Sequence, residues 1–462
     1  MSMTSPRLRR SLVTAIALGL LLAACGNSGG NKANSGASTS SGTAASTSSA
    51  NTTQSVAITG VPGVTDSEIR YSALGTNSNN PLGTCVLDCF SDGIQAYFDF
   101  RNSQGGIYGR KLVLSEKVDD ELGNNQAKAL EIVSANDTFG TFSATQIASG
   151  WADLASAGFP TYVWAINPDQ ASGHPEIFGN REVVCIPCIP RSVPYAAKLA
   201  GAKKIATLGY GISANSKQCA DSSAQAIQTY SAQVPGVTVA YTNDNLSFGL
   251  SNGIGPEVTA MKDAGVDMIF ICLDLNGAKT LAQELQRQGV RDKMKIYHPN
   301  TYDQAFVQAA GDLFDGDYIA VGFRPFEADP GTSELKDFRE WMAKDGKQET
   351  EVAMDGWINA DLAYQGLVGA GPNFDRAKVI AATNTLTNYT AGGLTQPVDW
   401  SRQHVAPTQD DPKTHGGKYD CLSLVKVGAG GKFEMVGDKS KPFTCWPGGT
   451  NDWSEPVAMD FS

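Results

Sequence analysis

Histidine is scarce in this chain. There are four in 462 residues, at positions 174, 298, 404 and 415, and their spacing is not that of metal ligands. His404 and His415 share a loop with several Asp residues, which would suit an adventitious ion at most. No glycine loop followed by Lys and Ser or Thr is present to cradle nucleotide phosphates, so ATP hydrolysis is excluded. A strand-elbow serine motif and a Cys/His pair at a catalytic spacing are missing too. No cofactor, metal or enzymatic step is therefore expected. Basic residues are outnumbered: 36 Lys and Arg stand against 47 Asp and Glu, a formal net charge of −11, and past residue 24 they form no cluster. That balance argues against nucleic acid and against anionic lipid headgroups. After residue 24 no apolar run is long enough to span a bilayer.

What is present begins with a targeting segment. Arg7, Arg9 and Arg10 precede an apolar stretch from Leu12 to Ala24, too short to be a mature membrane helix. The paired Arg9-Arg10 hints at twin-arginine export, although the flanking residues fit that signal poorly. The stretch ends Leu22-Ala23-Ala24-Cys25, which resembles a bacterial lipobox: small residues lead to a thiol that is acylated and becomes the new N-terminus. Residues 1–24 then form a lipoprotein signal peptide, and residues 25–60 a lipidated Cys25 with a tether. From Gly26 to about Ser55 the chain is nearly all Gly, Ser, Thr, Ala and Asn, a composition that cannot offset the entropy of ordering. The expected location is extracytoplasmic, with the body anchored to the bacterial cell membrane rather than embedded in it. Losing three arginines from a net charge of −11 leaves that body at −14.

Nine cysteines less Cys25 leave eight, an even number in an exported protein, so disulfides are expected. Proximity pairs Cys85 with Cys89, Cys185 with Cys188, and Cys421 with Cys445. Topology pairs Cys219, early in a helix, with Cys272, late in a strand that should neighbour that helix's own strand. The Cys185-Ile-Pro-Cys188 segment resembles the dithiol of thioredoxin-like enzymes, which leaves a thiol–disulfide oxidoreductase as a rival reading. No thioredoxin-sized β-α-β context surrounds it, and a structural staple is the preferred role.

The body of about 400 residues suggests two lobes on length alone. Glu68 to Thr76 reads as a buried strand, and Ser91 as the cap of a helix carrying Ile94, Tyr97 and Phe98 on one face. That helix stops near Asn102-Ser-Gln-Gly-Gly106, and Lys111 to Val118 returns as a strand ending in Asp119-Asp120. Asn124 or Asn125 can cap the next helix; strands follow at 139–142 and 160–164, with a helix at 151–157 between them. Further on, strands at 204–209, 237–241, 267–273, 293–297 and 316–321 alternate with four helical runs, which predicts a doubly wound parallel sheet. Helices at 334–343, 352–368 and 377–386 precede a long loop at 403–418 and two last strands, near 421–427 and 432–436.

Asn102 to Lys111, with its Asn-x-x-Gly-Gly-Ile and Gly-Arg-Lys elements, and Asp119-Asp120 resemble the solute-binding proteins of branched-chain amino acid ABC importers. Ser143-Ala-Thr-Gln-Ile-Ala-Ser149 and Gly392-Gly-Leu-Thr-Gln-Pro397 match the same family, and the resemblance covers roughly residues 66 to 436. It implies an α/β fold of two doubly wound parallel-sheet lobes joined by a three-strand hinge, the type I periplasmic binding protein. Residues 61–190 plus 327–395 would form lobe 1, and 191–326 plus 396–462 lobe 2. The implied partners are a small polar solute (an amino acid, amide or carboxylate) and the transmembrane subunits of an ABC permease, with the protein acting as a monomer. A ligand-sensing receptor component would use the same cleft.

Ligands in open α/β sheets lie beyond the carboxyl ends of strands. On the first lobe that rule selects Asn80, Ser143, Ala144, Thr145, Trp164 and Ala165; on the second, Tyr210, Asp274 and Asn300. Ser143 to Thr145 precede a helix, offering hydroxyls and free N–H groups, and match the family's carboxylate-binding turn. Asp274 could pair with a ligand ammonium or cap the helix that follows. Trp164 and Tyr210 could stack on a ligand or simply pack. Relatives often place Glu after Gly-Pro to hold an α-ammonium, where this chain has Pro299-Asn300.

Replacement of Cys25 by alanine is expected to move the mature protein from the detergent phase to the aqueous phase on partitioning. Continued detergent partitioning would remove the lipid anchor from the account.

Overall fold

The computed structural model describes residues 55–81, 83–183, 189–405 and 417–462. The expectations for the signal peptide, Cys25, the Cys185–Cys188 pair and His415 lie outside them.

The first sheet is built from β1 (Glu68–Gly75), β2 (Lys111–Asp119), β3 (Gly140–Ala144), β4 (Thr161–Val163) and β5 (Ile177–Gly179). The intervening helices are α1 (Leu87–Ser103), α2 (Asn125–Ala135), α3 (Trp151–Ser156) and α4 (Pro168–Ala171). Strand order is β2-β1-β3-β4-β5, parallel throughout. Helix α1 begins four residues ahead of Ser91, which is buried inside it. The Cys85–Cys89 disulfide spans the start of the helix, and Val86, not a polar side chain, stands at the cap position. Asn124 stands at the N-cap of α2 but makes no side-chain cap bond; the Asn125 side-chain Oδ1 accepts from Ser149 N and Gly150 N, tying α2 to the start of α3.

The second sheet repeats the plan. After α5 (Ser192–Ala200) come β6 (Lys204–Tyr210), α6 (Ala214–Thr229), β7 (Thr238–Leu246), α7 (Gly255–Ala264), β8 (Met268–Cys272), α8 (Leu275–Arg287), β9 (Lys295–His298), α9 (Gln304–Ala309) and β10 (Tyr318–Val321). Their order is β7-β6-β8-β9-β10, again parallel, so each lobe reverses winding beside its first strand. Ser213, Asp274 and Asp303 sit in extended conformation and accept a hydrogen bond from the first turn of α6, α8 and α9. Each such cap is worth about 1 kcal/mol.

The chain then returns to the first sheet as α10 (Leu335–Lys344), α11 (Glu351–Ala370), α12 (Arg376–Thr383) and the short α13 (Trp400–Gln403). Helix α11 lies against α1 so closely that side chains are excluded at the crossing. A Cβ on Gly93 would overlap Ala353 O, and one on Gly356 would overlap Phe90 O. Tyr97 and Phe100 of α1 flank Trp357 with ring centroids 5.1 and 5.6 Å apart. The Tyr97 hydroxyl donates to Asp361 at 2.6 Å, and Arg101 reaches Glu334 at 2.7 Å. Trp400 of α13 packs edge-on against Phe178 of β5.

A third crossing leads to β11 (Tyr419–Val427), β12 (Phe433–Met435), β13 (Phe443–Pro447) and β14 (Val457–Met459), all antiparallel additions to the second sheet. The last two were not expected from sequence. β13 is five residues and β14 three, and neither shows an alternation long enough to stand out. Cys421 and Cys445 face each other across β11 and β13 and are joined; Cys219 and Cys272 are joined with Cα atoms 6.0 Å apart. Among the described residues no helix is long and apolar enough to cross a membrane.

Chain entropy ranks the bridges. Cys219–Cys272 closes 53 residues and Cys85–Cys89 only four, so opening them should cost about 4 and about 2 kcal/mol. The Cys219→Ala/Cys272→Ala double variant should therefore lose more in a urea unfolding midpoint than Cys85→Ala/Cys89→Ala; equal losses would contradict the ranking.

Candidate ligand cleft

Both winding reversals open on the same space. A cleft of about 760 Å³ is lined by Gln146, Ile147, Trp164, Ala165 and Arg181 from the first lobe and by Tyr210, Ile212, Phe248, Leu273, Asp274 and Asn300 from the second. Nearly all of these stand just beyond the carboxyl end of a strand, where loop backbone is free to turn side chains toward a ligand. Glu351, Val352 and Asp355 complete the lining from the first turns of α11.

Of the residues selected from sequence, the structure places Trp164, Ala165, Tyr210, Asp274 and Asn300 on the cleft. It places Ser143, Ala144 and Thr145 behind the wall. The Thr145 hydroxyl donates to Asp120 Oδ2, a fully buried carboxylate that also accepts from Asn125 and from Leu122 N. Ser143 O accepts from Trp164 N and Ala144 O from Thr76 N, both at 3.0 Å, so this segment positions its neighbours. The Asn80 side chain folds back to donate to Thr84 O at 2.7 Å.

Asp274 has both carboxylate oxygens engaged. Oδ1 accepts from Gly277 N at 2.9 Å, the helix cap, and Oδ2 accepts from the Tyr210 hydroxyl. Burial and the neighbouring Asp274 raise the Tyr210 pKa, so this phenol keeps its proton and its bond. Phe248 leans on the Tyr210 ring with centroids 5.3 Å apart.

Arg181, Glu351 and Asp355 were not selected from sequence. Arg181 follows β5, a three-residue strand too short to be seen as one, so its strand-end rule was never applied. Glu351 and Asp355 lie one turn apart on α11 and reach the cleft only through the packing on α1. Burial raises both carboxyls, Glu351 to about 8 and Asp355 to about 7; Asp355 raises Glu351 further, while Arg181 pulls both down. Asn180 Nδ2 donates to Asp355. Ile212 and Phe248 do follow strand ends, but nothing in the sequence marks them as turned outward.

The three crossings between the lobes run beside one another. Arg324 N donates to Leu394 O at 2.7 Å, and Gln396 Nε2 donates to Glu182 Oε1 at 2.6 Å. Gln396 Oε1 in turn accepts from Cys421 N at 2.7 Å, and Glu182 Oε2 accepts from Gly417 N at 2.9 Å. Burial and nearby Asp420 push Glu182 up to about 8, although these two hydrogen bonds favour its charged form.

Two sheets of one strand order, a shared cleft and three hydrogen-bonded crossings define a two-lobed clamp for a small solute. The model of the periplasmic binding protein family matches residues 86–431, and the chain belongs to that family. Among curated proteins, none matches it. The fold is similar to a substrate-binding periplasmic protein from Ralstonia solanacearum, at 18% identity and TM-score 0.62, covering 80% of this chain and 100% of that one. It is similar to an ABC transporter solute-binding protein of R. palustris in complex with 4-hydroxybenzoate, at 18% identity and TM-score 0.62, covering 83% and 98%. A branched-chain amino acid transporter substrate-binding protein of Streptococcus pneumoniae, in complex with isoleucine, matches at 15% identity and TM-score 0.62, covering 80% and 98%. At such identities the likeness is one of fold.

The raised Glu182 carboxyl gives a signed expectation. The folded chain holds this proton up to about pH 8, whereas the unfolded chain releases it near its ordinary value of 4.5. Between those limits the native state binds more protons, so stability should fall as pH rises. Glu351 and Asp355, raised likewise, add to the same slope. A pH series of melting temperatures should show this decline, shallower in Glu182→Gln; an unchanged slope in the variant would reject the assignment.

Proposed function

We propose that this protein is the solute-capturing component of an ABC importer, held at the outer face of the cell membrane by a lipid on Cys25. The supporting observation is the cleft of about 760 Å³, within the range of small-molecule sites and lined from both lobes. A solute touching both walls stabilises the closed clamp against an open one, and the crossings at 180–183, 322–325 and 394–398 absorb the motion. In this reading the lobes are 61–190 plus 327–395 and 191–326 plus 396–462. Trp164, Ala165, Tyr210, Asp274 and Asn300 face the solute, while Asn80 and Ser143 to Thr145 hold that wall in shape. Affinity comes from desolvated hydrogen bonds and covered apolar surface, without a covalent step. The permease subunits are the macromolecular partner, and tethering to the membrane raises the effective concentration of the monomer beside them.

One contact already bridges the lobes at the mouth. Asn276 Nδ2, in the first turn of α8, donates to Pro81 O at 2.8 Å, on the loop that follows β1. In the closed state this bond would help retain the solute.

A thermal-shift screen of amino acids, amides, polyamines and carboxylates should yield a stabilising solute, and X-ray scattering should show a smaller radius of gyration with it bound. Stabilisation without compaction would contradict hinge closure. Asn276→Ala should weaken binding of that solute by about 2- to 10-fold, the range for one neutral hydrogen bond, expressed mainly in faster dissociation by stopped flow.

A further inference from the structure

The lining of the cleft narrows the chemistry of what it holds. Seven large apolar side chains are exposed among the described residues, and three of them, Ile147 (52%), Ile212 (83%) and Phe248 (36%), line this one cleft. Ile147 belongs to the first lobe, the other two to the second. Exposed apolar groups are unremarkable when scattered, but a cluster facing inward from two moving walls marks a surface waiting to be covered. Trp164, Leu273 and Val352 continue it.

The polar groups point to one sign of charge on the occupant. An ammonium would need a free carboxylate, and the acidic residues lining the cleft are engaged in hydrogen bonds or disfavoured in their charged form by burial. Asp274 uses both oxygens on Gly277 N and the Tyr210 hydroxyl. Asp355 is 4% exposed, its Oδ1 takes Asn180 Nδ2, and burial raises its pKa. Glu351, one turn away, is buried beside Asp355, and both effects disfavour its charged form. Arg181 is the converse case. Among the described residues its guanidinium donates no hydrogen bond and makes no direct ion pair, yet it borders the cleft. Its seat is built: a methyl group on Gly322, in the second crossing, would overlap Arg181 Nη1, so glycine there leaves room for the guanidinium. A planar fork of N–H donors with no protein acceptor matches a carboxylate in two-point geometry.

We propose that the solute is a monocarboxylate with an apolar body and no ammonium group, its carboxylate taken by Arg181 and its body enclosed between Ile147 on one lobe and Ile212 and Phe248 on the other. This rests on the solute-binding reading above. Because Arg181 lies in the first crossing, such a ligand also bonds the hinge itself, coupling occupancy to closure.

Calorimetry on the exported, disulfide-bonded protein with three head groups on matched bodies tests this: 3-phenylpropanoate and octanoate, their amides, and the corresponding amines. The acids should bind, the amides about 10- to 100-fold more weakly as a charge-assisted pair is lost, and the amines not measurably. Arg181→Gln should erase the preference for acid over amide, and Arg181→Lys should keep part of it. Equal or tighter binding of the amides or amines to the unaltered protein would overturn the proposal whatever the variants do, as would full discrimination in Arg181→Gln. If these acids fail while a zwitterion or polyamine drives closure, the proposal falls and solute capture stands. If no solute of any class binds, both fall.

Discussion

The contact between α1 and α11 is the constraint from which the rest follows. Gly93 and Gly356 let the two helices meet backbone to backbone, and Tyr97, Phe100, Trp357, Arg101, Asp361 and Glu334 lock the crossing with rings and charges. Without it, part of one face of the first sheet would be uncovered and α11 would have nowhere to bury a helix apolar over most of its surface. Because α11 is held there, its first turns deliver Glu351, Val352 and Asp355 to the cleft. The chain must also cross between lobes three times, since the helices completing the first lobe come after the second sheet. A hinge of three crossings bends about one axis, which a single linker would not ensure.

Acidic groups divide into two kinds by what surrounds them. Asp119, Asp120 and Asp274 meet N–H and O–H donors at strand ends and act as architecture, fixing loops that would otherwise wander. Glu182, Glu351 and Asp355 are buried with too little compensation, and their pKa values rise. Glu182 sits at a crossing, and Glu351 and Asp355 border the cleft; Glu334, raised likewise to about 7, stands instead at the start of α10 beside the α1–α11 contact. Raised carboxyls thus gather around the cleft as well as inside the first lobe, and those at the cleft follow a pattern common at binding sites.

Much of the architecture was legible from β/α alternation, because parallel strands buried on both faces read as apolar runs and amphipathic helices repeat every 3.6 residues. What escaped was short or cooperative. β5, β13 and β14 are three to five residues long, and the start of α1 is set by the Cys85–Cys89 segment instead of a polar cap. The strand-end rule found cleft positions such as Trp164, Tyr210 and Asn300, because it depends on fold alone. It could not tell that Thr145 would turn inward to satisfy buried Asp120, since that pairing joins β3 to the loop after β2. Arg181 and Glu351 were hidden for a related reason: one follows a strand too short to notice, and the other reaches the cleft from a helix that starts 276 residues beyond the end of β1.

The packing of Gly93 on Ala353 has a consequence for how the protein is made. A core whose two halves lie more than half a chain apart cannot close before the second half has been made. As the N-terminal half is made first, β1 to β5 must wait, incompletely covered, until α10 to α12 have been made as well. Such late, long-range closure makes folding slow. Until then the apolar faces of the first five strands stay open, and the first half of the chain is the part most exposed to mispairing.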